Sequence, residues 1–169
     1  MHPLIQLFLD ITLLRKGPQD TPASPWLLRV LAGLYLGVNF LILALNQYDG
    51  AALPQVAVDF LLLLGFTWPL LYFSGKKARF MQTLIALTGT DIIISALLLP
   101  FAASRELLPP ELIFFAMLVL MGWHWIVYGH IYRHALDRPI FFGLGLSLLY
   151  VLISSQILEL LFPVLTSHS

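Results

Sequence analysis

Five long apolar segments alternate with short turns along the chain. A helix needs about 20 apolar residues to cross a hydrocarbon core of ~30 Å, and each segment approaches or reaches that length. Proline, glycine or charged residues bracket every segment, as expected because irregular backbone cannot face lipid. The pattern predicts an all-α polytopic membrane bundle with spans at about residues 26–45, 56–73, 80–101, 112–131 and 140–161.

The first 20 residues differ from these segments. Their apolar run is too short to span, and it carries a polar stripe with a period of four, formed by His2, Gln6 and Asp10. Positive charge follows the run at Arg15 and Lys16, whereas a secretory signal carries it before the run. We therefore divide the chain into residues 1–20, an uncleaved amphipathic helix in the cytoplasmic interface with its connector, and residues 21–169, the five-helix domain. Packing of this helix on the bundle is a compatible alternative.

Composition narrows the class of protein. Of the 169 residues, 59% are hydrophobic and 11% are charged, and the mean hydropathy is +0.88. About a quarter of the residues of a soluble domain are charged, so a disordered chain and an ordinary soluble enzyme are excluded. Nine Lys and Arg balance nine Asp and Glu, which leaves no net field to attract a nucleic acid.

Recognisable catalytic chemistry is missing from the sequence. Cysteine is absent, which excludes disulfides and thiolate metal sites. The chain contains no nucleophile elbow, phosphate loop, His-Glu-x-x-His pair or dinucleotide fingerprint. We predict a non-catalytic protein that needs no cofactor.

The basic residues predict an orientation. Eight of the nine Lys and Arg fall on the N-terminal side of the predicted spans, and only Arg105 falls on the other side. Loops rich in Lys and Arg face the cytoplasm. We expect a cytoplasmic N-terminus and an external C-terminus, in a bacterial-type inner membrane.

Polar residues within the spans are the candidate functional residues. They are Asn39, Asp59, Asp91, His124 and Glu159. An ionisable group at membrane depth is costly and marks a pathway, a partner or an interhelical bond. Asp91, on a face with Thr88 and Ser95, and His124 lie near the middle of their spans and could relay protons. Alternatively, Asp91 is protonated or hydrogen-bonded to His124 or a threonine and fixes helix register.

Simpler interactions are expected for the other polar residues. Asp59 and Glu159 lie nearer the outer interface, where snorkelling or pairing with Arg105 would satisfy them. Asn39 shares a face with Tyr35, and we expect its amide to bond to a neighbouring helix, with solute binding as the alternative.

A histidine pair near the end of the fourth span is a candidate metal site. His130 and His134 share a face near the cytoplasmic interface, but a transition metal needs three or four converging ligands. His124 lies on a different face. We expect a solvated interfacial cluster and no metal site.

Small residues mark a packing face on the first span. Gly33, Gly37 and Ala44 lie on one face with Phe40, and such a face allows close approach of another helix. The partner helix would belong to the same bundle or to a second subunit.

The layout of an amphipathic lead-in, five closely spaced spans and an external C-terminus resembles the Yip-type family of small five-span membrane proteins. The run from Leu14 to Ser24 also resembles an opening found in short proteobacterial membrane proteins. The resemblance implies a scaffold or adaptor in membrane organisation, and no site residue is carried over.

Together these patterns predict a non-catalytic membrane scaffold or accessory subunit. Its partners would be the lipid bilayer and another protein or a second copy of the chain, with no nucleic acid. The alternative is a small proton-coupled transporter or channel subunit that uses Asp91 and His124.

Overall fold

The computed structural model describes residues 3–45, 51–104 and 107–163, and within these ranges the chain is helical, without strands. One short helix precedes five helices that are long and apolar enough to cross a membrane. They are α1 (Pro3–Thr12), α2 (Pro25–Leu45), α3 (Ala52–Phe73), α4 (Phe80–Ala103), α5 (Pro110–Leu136) and α6 (Ile140–Leu161). The predicted all-α five-span architecture is confirmed.

Helix α4 forms the centre of the bundle. Every residue from Thr83 to Asp91 is buried, as expected for an apolar helix that is surrounded by others. Beyond Asp91 the burial becomes one-sided, since Ile94 and Ser95 are buried while Ala96 and Leu97 are exposed. The bundle is therefore closely packed around the first half of α4 and looser around its second half.

Helix α1 packs against the bundle. Its Ile11 is fully buried, and the ring of Phe8 covers Gly89 of α4 so closely that a Cβ atom there would overlap it. The connector continues this contact, because the Nε2 atom of Gln82 donates a 3.0 Å hydrogen bond to the carbonyl oxygen of Thr21. Packing on the bundle, one of the two compatible placements expected from the sequence, is what the structure has.

Helices α5 and α6 approach each other closely. A Cβ atom at Gly143 would overlap the carbonyl oxygen of Gly129, and a Cβ atom at Gly129 would lie 3.0 Å from the Cα atom of Leu144. Two hydrogen bonds fix this seam: Trp125 donates to the carbonyl of Leu144 at 3.0 Å, and Ser147 donates to the carbonyl of Trp125 at 3.2 Å. Glycine is required here because the two backbones touch.

The predicted packing face of α2 has no partner within the described chain. Nothing lies within 4 Å of a Cβ atom built at Gly33 or Gly37, and Phe40 and Ala44 are exposed. A partner helix from the same bundle is thus the wrong alternative for these glycines.

Charged residues gather at one end of the bundle, called the basic end below: Lys76, Lys77, Arg79, Arg133 and Arg138. There, Lys76 and Arg79 both form salt bridges to Asp137, which follows α5 in the left-handed conformation at φ 53°. Hydrogen bonds from Arg79 and then Lys76 hold the pKa of the exposed Asp137 carboxyl down at about 2. The pairs tie the α3–α4 turn to the α5–α6 turn.

Candidate functional site: a polar cavity in the bundle

A cavity of about 630 Å³ lies among helices α2 to α6. Its α4 and α5 walls, which include Leu98 and Met117, lie beyond Asp91 and His124 as seen from the basic end. The cavity therefore occupies the loosely packed half of the bundle that surrounds the second half of α4. Its volume falls within the range of about 300–1,000 Å³ that is usual for small-molecule sites.

Asp91 forms the buried base of the cavity. Only 4% of the residue is exposed. Its Oδ2 atom accepts a 3.0 Å hydrogen bond from Nδ2 of Asn39 and a 3.4 Å bond from the hydroxyl of Ser95. Its Oδ1 atom lies 3.5 Å from Nε2 of His124. One carboxylate oxygen is thus held by helix-to-helix bonds, and the other faces a titratable ring.

These contacts decide between the partners expected for Asp91. His124 lies beside it, but a threonine does not: the hydroxyl of Thr88 is buried without a hydrogen-bond partner in the described structure. Asn39 and Ser95 take that role. The Ser95 hydroxyl also donates to Oδ1 of Asn39 at 3.2 Å, so the amide of Asn39 bonds to α4 and does not line the cavity.

Asp59 faces the same cavity from α3. Its Oδ2 atom accepts a 2.5 Å hydrogen bond from the hydroxyl of Tyr35, and its Oδ1 atom accepts a 3.5 Å bond from the hydroxyl of Tyr150. The expectation that Asp59 snorkels towards the interface is therefore wrong, because two tyrosines on other helices satisfy it inside the bundle. Arg105, the other expected partner, lies outside the described residues.

His124 and its neighbouring aromatic rings form one side of the cluster. The imidazole stacks against Tyr128, with 4.3 Å between the ring centroids, while its Nε2 atom faces Asp91. The histidine side chain is 29% exposed. An imidazole that is partly open and next to a buried carboxyl can pass a proton between that carboxyl and the cavity.

Aromatic rings close the cavity towards the basic end. Tyr128 meets Tyr132 edge-on at 6.4 Å, and Phe66 contacts both Tyr132 and Tyr150 at 5.9 and 5.5 Å. On the side of these rings nearer the basic end, the hydroxyls of Thr67 and Tyr132 lie 3.2 Å apart, and both residues are fully buried. This aromatic layer separates the cavity from the basic end.

The opposite wall is apolar and borders the outer surface. Leu118 and Met121 of α5 line the cavity and are 56% and 67% exposed. Leu148 and Val151 of α6 continue the wall on the other side. A molecule in the cavity would have a polar cluster at one end and hydrocarbon on its flank.

Electrostatically the cavity is acidic. Its described lining contains the carboxyls of Asp59 and Asp91 and the imidazole of His124, and it contains no lysine or arginine. The site is suited to protons or cations and unsuited to anions.

Glu159 does not belong to this site. It is exposed on α6 and absent from the cavity lining, so the acids of the described lining are Asp59 and Asp91. The exposed position agrees with a solvent- or interface-facing side chain.

His130 and His134 lie near the basic end, in the last turns of α5. Among the described residues no group of three or more His, Cys, Asp or Glu could hold a metal ion. His130 is 5% exposed, and its Nε2 atom lies 2.9 Å from the carbonyl oxygen of Lys16. The expected solvated cluster is therefore wrong for His130, which is buried against the connector that follows α1.

Tyr35 and Tyr150 contribute to the site, although the sequence does not single them out. The i, i+4 spacing of Tyr35 and Asn39 is the available signal for the first of them. Tyr150 lies at the middle of α6, at the same depth as Asp91 in α4, and only a comparison of depths could have found it.

Comparison with known proteins found no match to this chain among protein-family models, curated proteins or solved structures. The resemblance to Yip-type proteins accordingly stays a prediction.

Proposed function

We propose that this protein is a non-enzymatic, multi-pass membrane protein that binds a small solute in the cavity and exchanges protons through Asp91 and His124. One observation carries the proposal: Asp59, Asp91 and His124, on three different helices, converge on a single cavity. The proposal favours the transporter or channel subunit over a scaffold.

The convergence of these three side chains matters because an ionisable side chain inside a membrane costs free energy and marks an ion or substrate pathway. A carboxyl that served only to join helices would need no open space beside it. Asp91 instead combines an anchored oxygen, Oδ2, with an oxygen, Oδ1, that lies beside His124 at the cavity. Binding a solute at that oxygen would compete with a proton, which couples the two.

A layer of aromatic rings at one end of the cavity fits one state of a transport cycle. The aromatic layer of Phe66, Tyr128, Tyr132 and Tyr150 closes the cavity towards the basic end. In the proposed cycle the protein alternates between this state and one in which the layer has opened. The tight α5–α6 seam at Gly129 and Gly143 would keep these two helices moving together.

We further propose a bacterial-type inner membrane as the location, with the N-terminus in the cytoplasm. The support is the distribution of charge, since eight of the nine Lys and Arg lie in or next to the same ends of the spans. The cavity would then open towards the external half of the membrane.

Proton flux into liposomes tests the proposal. Purified protein is reconstituted with a trapped pH-sensitive dye, and a potassium gradient with valinomycin drives protons inwards. We expect flux above that of protein-free liposomes for the unaltered protein, and loss of that flux for Asp91→Asn, which keeps hydrogen-bonding atoms but cannot exchange a proton.

The matched control is Glu159→Gln, the same removal of a carboxyl at an exposed position outside the cavity. It should conduct as the unaltered protein does. Flux that is equal in the unaltered protein and in Asp91→Asn would overturn the proposal.

A second candidate function is that of an accessory subunit, and the exposed face of α2 favours it. Gly33 and Gly37 have no neighbour within the described chain, and small residues on a membrane helix allow close contact with another helix. The similarity to Yip-type scaffolds points the same way. Cross-linking in native membranes, compared between the unaltered protein and Gly37→Leu, tests this function.

A further inference from the structure

We infer that the cavity binds a protonated amine that carries an apolar chain or ring, with its ammonium group between the Oδ1 atoms of Asp59 and Asp91. The inference deepens the proposed solute-binding function and rests on it. It follows from the unused hydrogen-bonding capacity of the site, its charge and its shape.

The two carboxylates share an arrangement. In each, Oδ2 makes the shorter helix-to-helix bond, from Tyr35 at 2.5 Å in Asp59 and from Asn39 at 3.0 Å in Asp91. In each, Oδ1 makes only a 3.5 Å contact, with Tyr150 or with His124. A buried carboxylate oxygen with such a long contact retains acceptor capacity, and both residues line the cavity.

The donors around the cavity are largely committed elsewhere. Tyr35 and Tyr150 donate to Asp59, Ser95 donates to Asn39 and Asp91, Ser154 donates to the carbonyl of Val151, and Trp125 donates to the carbonyl of Leu144. Tyr128 and His124 also line the cavity and contribute further donors, beside two carboxylate oxygens that have spare acceptor capacity. A ligand that brings donors satisfies those oxygens, and an ammonium group brings up to three.

Charge and aromatic rings select a cation over a neutral donor. The described lining has two carboxyls and no lysine or arginine, so an anion would meet repulsion without a compensating cation. The rings of Tyr35, Tyr128 and Tyr150 also face the cavity, and aromatic faces attract ammonium groups. A buried ammonium between carboxylates makes charge-assisted hydrogen bonds, the strongest type available here.

The remainder of the cavity requires an apolar body on the amine. Leu118, Met121 and Val151 form a wall beyond the carboxylates, and about 630 Å³ is far more than a bare ammonium fills. An inorganic cation would leave this wall without contacts. An amphipathic amine buries its chain there and its charge at the acids.

Three probes with the same chain and different head groups test the inference on the unaltered protein: octylammonium, octanol and octanoate. The protein is held in a nonionic detergent, and dissociation constants are taken from the rise of the thermal unfolding midpoint and from the fluorescence of Trp125 and the other tryptophans. We expect saturable binding of octylammonium and at least about tenfold weaker binding of the other two, the loss that one charge-assisted hydrogen bond represents. Equal binding of octanol or octanoate would overturn the inference.

Variants localise the binding. Asp59→Asn and Asp91→Asn should each weaken octylammonium binding by about tenfold, while Glu159→Gln should leave it unchanged because Glu159 is not part of the lining. If Asp91→Asn does not fold, Asp59→Asn and the head-group series still decide. Equal effects of Asp59→Asn and Glu159→Gln would place the amine outside the cavity and overturn the inference.

The two tests separate the inference from the proposed function. Proton flux that depends on Asp91, together with equal binding of all three probes, would refute the amine and leave proton exchange standing. Selective amine binding without any proton flux would refute proton exchange and retain the amine site.

Discussion

Asn39 on α2 donates a 3.0 Å hydrogen bond to Oδ2 of Asp91 on α4. The same amide nitrogen also donates to the carbonyl of Tyr35 at 3.1 Å, and the Asn39 oxygen accepts from Ser95 at 3.2 Å. The amide nitrogen of Asn39 therefore holds one carboxylate oxygen of Asp91, and the amide oxygen joins the same side chain to Ser95 on α4. The other oxygen of Asp91 stays at the cavity, and this orientation underlies the proposed chemistry.

Removing that amide should destabilise the bundle. Asn39→Ala leaves Asp91 with fewer donors in a buried site, and we expect a loss of about 1–2 kcal/mol in the free energy of unfolding. Titration with sodium dodecyl sulfate in mixed micelles measures it. Gln156→Ala, which removes an exposed amide from α6, is the control and should change the free energy little. Equal losses in both variants would show that the Asn39–Asp91 bond contributes nothing.

Alanine in place of glycine should destabilise the α5–α6 seam and should have no effect on the exposed face of α2. Gly143→Ala places a Cβ atom against the carbonyl oxygen of Gly129, so the α5–α6 seam must widen, at a cost of about 1–3 kcal/mol. Gly33→Ala has open space around its new atom and should leave the folded yield unchanged. Size-exclusion profiles and thermal midpoints in detergent compare them. A larger loss for Gly33→Ala would contradict the packing described here.

The basic end should show salt- and pH-dependent stability that depends on Asp137. Its pKa is lowered to about 2 in the folded protein by Arg79 and Lys76, against about 3.9 in an unfolded chain. Its contribution to stability is thus present above about pH 4 and is lost as the pH falls towards 2.

Asp137→Asn is the matched variant, because asparagine also tolerates the left-handed backbone found at this position. We expect a lower thermal midpoint than that of the unaltered protein at pH 6 and low salt. The difference should shrink in high salt and at pH 2–3. A difference that does not change with pH or salt would exclude the ion pairs as its cause.

The absence of cysteine allows a direct test of orientation. Single cysteines are introduced at Lys77, at the basic end, and at Leu107, in the described turn before α5 where the side chain is 85% exposed. In intact cells a membrane-impermeant maleimide should label Leu107→Cys and should label Lys77→Cys only after permeabilisation. The reverse pattern would invert the proposed topology, and the cysteine-free chain reports background labelling.

The number of spans and their approximate limits follow from the sequence alone, although α3 begins at Ala52 and α5 ends at Leu136, four and five residues beyond the predicted limits. A membrane of fixed thickness demands about 20 apolar residues per helix and breaks between them, and both requirements are visible in the order of residues. The brevity of the first apolar run likewise predicts a helix that does not span, as α1 with its 10 residues confirms.

Tertiary structure decided which polar residues meet. Spanning helices are apolar on nearly every side, so their sequences give little sign of which face turns inwards. Lipid is as apolar as a leucine side chain, and helix pairing therefore depends on close contacts and interhelical hydrogen bonds. The sequence marks Gly33 and Gly37 as a packing face, yet a Cβ atom there would have open space around it, whereas a Cβ atom at Gly143 would overlap another backbone.

The same reason explains why the surroundings of Asp59 and Glu159 differ. The depth of a residue along its helix can be predicted from the sequence, which places Asp91 and His124 at similar depths. Rotation about the helix axis is not readable, because it depends on which neighbours are packed. That rotation turned Asp59 inwards to Tyr35 and Tyr150 and left Glu159 exposed, although both had looked alike as acids near the outer interface.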